Sequence, residues 1–374
     1  MLNPFRIDVP QEAIDDLHHR LRATRWPREL PGDWQRGVPV GYLRGVVDRW
    51  LEFDWRAWET RLNAIPQYTT IVDGQTVHFL HARSPEPTAM PLVLTHGWPG
   101  SVAEFVDVLG PLTDPRAHGG DAADAFHVVA PSVPGHGFSV PLEGSGWDHV
   151  RIAQAWITLM DRLGYDRYGA QGGDTGSVVS PLVGRLAPER VIGVHINGGL
   201  AFPAARAGDL DDLSATDQAK LAMAEHIRAT GTGYAVLQST KPQTVSFALS
   251  DSPVGQLAWI LEKFHDWTDP ARDLPEDAVA LDHLLANVSI YWFTNTSATS
   301  ANLYYAGAAA EPGKPSDVPT GVAVFPTDPA MRHILEREHR ITHWAEYERG
   351  GHFAALEAPD LLVEDIRTFF RPLR

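Results

Sequence analysis

Residues 166–180, DRYGAQGGDTGSVVS, constrain this chain more than any other stretch. Tyr168–Gln171 can make a short strand. Gly172, Gly173 and Gly176 then surround a single carboxylate, Asp174, and a helix can start at about Thr175. Small-x-nucleophile-x-small is the spacing of a nucleophile elbow, a strained turn that holds one side chain up at the end of a strand. Glycines are needed because the turn forces unusual φ/ψ and brings backbones close together. The usual occupant is serine; here it is aspartate. A glycine-rich turn with one Asp is, by itself, more often only a turn, so the reading depends on what the rest of the chain places around it.

The chain has 374 residues. One hydrophobic core stops growing beyond ~250–300 residues, so a main domain with an appendage is expected. Lys and Arg total 31 against 47 Asp and Glu, a formal net charge of −16. Without a basic run, that balance argues against nucleic acid or an anionic membrane as a partner. There is no cysteine and hence no disulfide framework. No apolar run reaches transmembrane length, and MLNPFRIDVP lacks the basic and apolar regions of a signal peptide. A cytoplasmic location is the expectation.

Taken in order, Gln11–Thr24 reads as an amphipathic helix with Ile14, Leu17 and Leu21 on one face, ended by Trp26-Pro27. Gly41–Leu62 gives a second helical stretch. Residues 1–66 show no strand pattern and read as a helical meander wrapped on something else. From Gln67 the period changes. Tyr68–Val72, Asp73-Gly74 and Thr76–His81 predict a hairpin. Buried strands at Pro91–Thr95, Phe126–Ala130, Tyr168–Gln171 and Val191–Ile196 alternate with helices at 102–112, 148–163 and after Asp174. Residues 200–318 break that rhythm, with helical periods at 215–229, 254–264 and 279–294, and EPGKPSDVPTG (311–321) reads as a linker. Alternation returns over 319–374, with strands at 322–325 and 341–347 and helices at 330–340 and 359–370. Alternating β and α means a mostly parallel α/β sheet with helices on both faces. The domain expectation is a core over 67–199 and 319–374, a helical cap over 200–318, and the meander.

In open α/β sheets the chemistry sits at the carboxyl ends of the strands. Four features fall there: Asp174, the HGWPG loop (96–100), Asp328 and His352. Nucleophile, acid, histidine is the chain order of the α/β-hydrolase fold. An aspartate, with an unperturbed pKa of ~3.9, is already ionised and needs no base for its own attack. His352 is then left to deprotonate a water that cleaves the resulting ester, with Asp328 holding the imidazole's tautomer. A carboxylate attacking a carbonyl gives an anhydride, a poor intermediate, whereas attack on a saturated carbon gives an alkyl ester. The substrate is therefore an epoxide or an alkyl halide. Backbone N–H groups of Trp98 and Thr175 are the oxyanion-hole candidates. An epoxide oxygen needs an acid as it leaves, and Tyr234, Tyr291, Tyr304 and Tyr305 supply phenols in the helical insertion. A halide needs indole or amide donors, commonly a Trp after the nucleophile, and position 175 is Thr.

The longer motifs resemble the microsomal-type epoxide hydrolases: HGWPG, GGDTG (172–176), TKPQTV (240–245), SDSPVGQLAWILEKFHDWTD (250–269) and RGGHFAALEAPD (349–360), with PFRIDVPQEAIDDLHHRLRATRWP (4–27) similar to their N-terminal domain. The likeness spans essentially the whole chain and points to the soluble bacterial branch. It implies an epoxide opened to a vicinal diol through a covalent ester, with Asp174 as nucleophile, His352 as base, Asp328 as acid where the family mostly has Glu, and Tyr234 and Tyr304 as ring-opening phenols. It implies a pocket that includes Trp98, Pro99, Thr175 and Phe353, a cis Trp98-Pro99 bond, and a dimer as a common state. Thr175 stands where the family often has Trp and Asn302 where it often has Arg, which points to a reshaped pocket and a bulky or aromatic substrate.

The alternatives are a haloalkane dehalogenase with the same nucleophile and a non-catalytic small-ligand binder on this scaffold. Bland readings stand beside the sharp ones: Trp98, Tyr234 and Tyr304 as core, Glu336 as the acid in place of Asp328, and His96 and His136 as loop-structuring groups. His18-His19 and the His78/His81 pair lack acidic or cysteine neighbours, so no metal is expected, and no cofactor motif is present.

Overall fold

The apolar runs become the strands of one sheet in the computed structural model, which describes residues 1–31, 33–199, 210–307 and 315–374. In chain order these are β1 (Asn3–Pro4), β2 (Gln67–Val72), β3 (Gln75–Ala82), β4 (Met90–Thr95), β5 (Phe126–Pro131), β6 (Tyr168–Gly173), β7 (Val191–Asn197), β8 (Ser316–Val324) and β9 (His339–Glu346). They lie side by side as β1-β2-β3-β5-β4-β6-β7-β8-β9. Pairing is antiparallel from β1 to β5 and parallel from there on. This is the α/β-hydrolase arrangement. Strand order reverses direction around β4, so the carboxyl ends of β4 and β6, in register at Thr95 and Gly172, open onto one crevice.

The helices before the insertion are α1 (Gln11–Arg22), α2 (Val40–Glu52), α3 (Trp55–Asn63), α4 (Val106–Thr113), α5 (His149–Arg162) and α6 (Thr175–Leu186). Between β7 and β8 run α7 (Ala215–Thr230), α8 (Gly233–Thr240), α9 (Pro242–Asp251), α10 (Pro253–Trp267), α11 (Pro275–Ala278), α12 (Leu281–Thr294) and α13 (Ser297–Gly307). After β8 come α14 (Arg332–Leu335), α15 (Ala354–Glu357) and α16 (Pro359–Phe370).

Successive residues of a strand point to opposite faces, and both faces of β4 are apolar. Val93 packs with Trp156, Leu159 and Val179 under α5 and α6. Leu92 and Leu94 pack with Leu109, Val363 and Phe370 under α4 and α16. A third cluster lies above the strand ends, where Leu17, Leu21 and Trp50 meet Leu257, Phe264 and Leu285 of the insertion, with Trp98 and Phe353. The Trp50 indole N–H donates to Ser289 Oγ at 2.9 Å, so the N-terminal helices grip the insertion directly.

Several boundaries differ from the sequence expectation. The N-terminus does contain a strand, the two-residue β1, extended by Phe5 N–H donating to Gln67 O at 2.9 Å. Residues 41–62 are two helices, because Asp54 accepts from Ala57 N and starts α3 afresh. Pro/Gly/Ser composition hid the start of β8, where Pro319 sits at a register shift against β9. Residues 311–314 of the linker reading lie outside the described residues. Helix 330–340 shrinks to α14. No described helix is long and apolar enough to cross a membrane.

Trp156 ties α5 to the crevice: its indole N–H donates to Thr95 Oγ1 at 3.1 Å, and the side chain is fully buried. Trp156→Phe removes that donor and leaves a void. It should destabilise the fold by about 2–4 kcal/mol in urea unfolding.

Candidate active site

The elbow forms as its spacing requires. Asp174 follows β6 with φ 51° and ψ −119°, a left-handed strain that costs ~1–3 kcal/mol in a non-glycine residue. The surrounding glycines allow the approach. A Cβ on Gly176 would lie 2.1 Å from Thr95 O, and one on Gly172 would lie 2.5 Å from the Gly176 Cα. A Cβ on Gly97 would lie 2.1 Å from Asp174 Oδ1, so the HGWPG loop can reach the carboxylate only with glycine there. His96 and His136 do organise this region. His96 Nε2 accepts from Val133 N at 3.1 Å, and the His136 ring contacts Pro134 O at 3.3 Å. Trp98-Pro99 is cis.

Asp174 Oδ1 accepts from Trp98 N at 2.9 Å, Thr175 N at 2.7 Å and Thr175 Oγ1 at 3.1 Å. Its Oδ2 lies 3.3 Å from His352 Nε2. Burial alone would push the carboxyl up. The His352 contact and the two backbone N–H groups outweigh it and hold Asp174 below the usual carboxylate range. The group is therefore an anion at neutral pH, one oxygen fixed by three donors and the other turned to the histidine.

His352 is buried after β9, and its backbone N–H donates to Trp267 O at 2.8 Å, so the end of α10 sets the loop. Asp328 is buried nearby. Its Oδ1 accepts from Ala330 N at 3.0 Å and its Oδ2 from Gly199 N at 3.3 Å. No hydrogen bond joins Asp328 to His352 among the described residues; the two interact through charge. Burial pushes Asp328 up to about 6 despite those bonds and the His352 charge. Glu336, the rival acid, ion-pairs with Arg332 at 2.7 Å on the surface.

The phenols stand over the carboxylate. Tyr234 of α8 stacks on Trp98 with ring centres 4.9 Å apart, and Tyr304 of α13 meets Trp98 edge-on at 5.8 Å. The two tyrosine rings are 5.7 Å apart. Burial and the Asp174 charge raise Tyr234; burial and the charges of Tyr234 and Asp174 raise Tyr304. Both phenols keep their protons at neutral pH. Tyr291 instead donates to Gly100 O at 2.9 Å, and Tyr305 is exposed.

Two cavities share Asp174. The larger, about 340 Å³, is lined by Thr175, Val178, Tyr234, Trp267, Leu303 and Tyr304, with His149 on its wall. The smaller, about 20 Å³, lies between Asp174, His352, Glu104, Gln171 and Asn197. That is room for about one water with several polar partners. Of the expected pocket residues, Thr175 lines the large cavity, while Trp98 and Phe353 line the small one. Pro99 lines neither; its carbonyl accepts from Asn287 Nδ2 at 2.7 Å. Trp267, Val178, Leu303 and Glu104 escaped the sequence reading; for Trp267 the 250–269 motif was the available signal. Among the described residues no cluster of His, Asp and Glu could hold a metal.

Asp328 gives a pH test. Its folded value lies above the unfolded one, so its contribution to stability is full below ~pH 4 and is lost as pH rises through about 6. The stability of Asp328→Asn relative to wild type should therefore shift in the variant's favour between pH 4 and pH 8, read from urea melts at each pH. A constant difference would refute the raised value.

Comparison with known proteins bears on the family and the fold. The family profile described as "Epoxide hydrolase N terminus" matches residues 2–105, and that described as "alpha/beta hydrolase fold" matches 90–248. A Stigmatella aurantiaca protein named "Putative epoxide hydrolase" is 48% identical over 100% of this chain and 86% of its own length. "Epoxide hydrolase 1" of Sus scrofa is 36% identical over 98% of this chain and 88% of its own. The structure of the Aspergillus niger epoxide hydrolase superposes with a TM-score of 0.88 at 32% identity, covering 100% of this chain and 97% of that one.

Proposed function

The chain belongs to the epoxide hydrolase family, and on that premise we propose that it opens a neutral epoxide to a vicinal diol through a covalent ester on Asp174. The observation that carries this reading is the asymmetric environment of that carboxylate. Oδ1 is held by Trp98 N and Thr175 N, while Oδ2 lies between the histidine and the cavity capped by two protonated phenols.

In the first half of the cycle Asp174 Oδ2 attacks an epoxide carbon. The ring C–O bond breaks, and its oxygen takes a proton from Tyr234, with Tyr304 as the second donor. In the second half His352 takes a proton from water, and the hydroxide adds to the ester carbonyl. The oxyanion that forms at Oδ1 lies on two N–H groups already 2.7 and 2.9 Å away, each contributing roughly 2.7–4 kcal/mol in comparable sites. The water-sized cavity beside His352 and Asp174 supports a separate entry for that water. Collapse expels the diol oxygen, which takes the imidazolium proton. Asp328 steadies the imidazolium by charge, and the helical insertion serves as the cap that carries both phenols.

The phenols favour an epoxide over a haloalkane, since a halide leaves without a proton. Thr175 leaves open the wall of the 340 Å³ cavity beside the nucleophile, which supports a bulky or aromatic substituent on the attacked carbon.

Asp174→Ala should abolish turnover. His352→Ala should form the ester at the wild-type rate and cleave it at least 10²-fold more slowly, seen as a substrate-mass adduct on the intact protein. A His352→Ala enzyme that cycles normally contradicts the role given to it. Thr175→Trp should lower kcat/KM for styrene-type epoxides by 10-fold or more while sparing a small alkyl epoxide, since overpacking costs about 1–3 kcal/mol. Equal effects on both would remove Thr175 as a determinant of size.

A further inference from the structure

Lys263 is out of place for its residue type. Lysine is almost never fully buried unless paired, yet Lys263 of α10 is 2% exposed. Its Nζ contacts Glu262 Oε1 at 2.5 Å and Asp266 Oδ2 at 3.5 Å. Surface pairing alone does not explain burial, because both carboxylates are more than a third exposed while the lysine side chain is 3% exposed. The ammonium is instead drawn in against aromatic rings. It lies 4.9 Å from the Tyr234 ring centre and 5.6 Å from that of Trp267. A cation over a ring within ~6 Å is attracted by its quadrupole, by up to about 2 kcal/mol when desolvated.

The charged and titratable groups around the Tyr234 ring set out the problem. Asp174 lies across the cavity, and Tyr304 of α13 meets the ring at 5.7 Å. Trp98 and Trp267, at 4.9 and 5.3 Å, are uncharged. Lys263 brings the positive charge, with Glu262 and Asp266 at its solvent side. Burial and the Asp174 charge both oppose a phenolate at this ring, and the hydrogen bond with Tyr304 offsets them only in part. A phenol that gives up its proton there is helped by a cation held against its ring, and the Lys263 ammonium is 4.9 Å from the ring centre.

We propose that Lys263 is a positioning residue for ring opening, its buried ammonium holding the Tyr234 ring and stabilising the negative charge the phenol gains as its proton passes to the epoxide oxygen. The proposal rests on Tyr234 being a proton donor in the cycle above. The Asp174–carbon bond forms, the carbon–oxygen bond breaks, and the phenol proton moves to that oxygen, leaving a phenolate beside the ammonium. After ester cleavage Asp174 is left as the carboxylic acid, and its proton returns to the phenolate, which restores both groups. Lys263 neither gains nor loses a proton.

On this proposal Lys263 acts on ring opening through the Tyr234 ring, whereas a merely structural lysine, which also touches Trp267 beside His352, would affect both halves of the cycle. Stopped-flow tryptophan fluorescence with an aryl epoxide separates ester formation from ester cleavage. Lys263→Met should slow formation about 10-fold and leave cleavage within about 2-fold. Lys263→Arg, which keeps the charge, should recover formation to within about 3-fold. In a Tyr234→Phe background, Lys263→Met should cost less than about 2-fold, because no phenolate forms there. Lys263→Gln gives the same comparison if the Met variant does not fold. Loss of cleavage equal to loss of formation, or a further 10-fold loss in the Tyr234→Phe background, overturns the proposal alone. A Tyr234→Phe enzyme as fast as wild type overturns the donor reading together with it.

Discussion

The structure depends on bringing one carboxylate against two backbone N–H groups. Asp174 Oδ1 sits 2.9 Å from Trp98 N and 2.7 Å from Thr175 N, on loops that follow β4 and β6. Reaching that geometry requires a left-handed φ at a non-glycine residue and three glycines, Gly97, Gly172 and Gly176, with no space for a Cβ. The strain of ~1–3 kcal/mol is small beside the two apolar layers that clamp β4 and β6 between α5, α6 and α4, α16. His352 first, and then these same N–H groups, keep the carboxylate ionised against its burial. They put donors where an oxyanion would form, before any substrate binds, which is what preorganised electrostatic stabilisation needs.

The second constraint is α10. Its last turn supplies Trp267 O to the His352 amide, and Phe264 stacks on Phe353 with ring centres 4.2 Å apart. Lys263 and Trp267 of the same helix flank Tyr234. One rigid element therefore sets both the imidazole that would serve ester cleavage and a phenol that would serve ring opening. The N-terminal helices brace α10 and α12 from outside through Leu17, Leu21 and Trp50. This gives a physical reason for an N-terminal segment whose described residues contribute no group to the cavities around Asp174.

Much of this was legible in the residues. The elbow spacing, the strand-end positions of Asp328 and His352, and the apolar runs of the parallel strands carry strong local signals. Features that depend on three-dimensional closeness were hidden. Asp54 restarts a helix within a stretch that reads as one, and β8 begins inside a Pro/Gly/Ser segment. The helix α13, SATSANLYYAG, has small and polar residues on all sides, so its period is invisible although it delivers Tyr304. Glu104 and Trp267 look like ordinary helix residues until the fold sets them beside Asp174 and His352.

In the proposed cycle Asp174 itself becomes bonded to the substrate. One turnover of an aryl epoxide with excess enzyme in oxygen-18-labelled water tests it most directly. The first diol should carry an unlabelled oxygen from Asp174, the label should enter the Asp174 carboxylate, and it should reach the diol only in later turnovers. Label in the diol of the first turnover, with Asp174 left unlabelled, would mean that water attacks the epoxide directly and that no ester forms on Asp174.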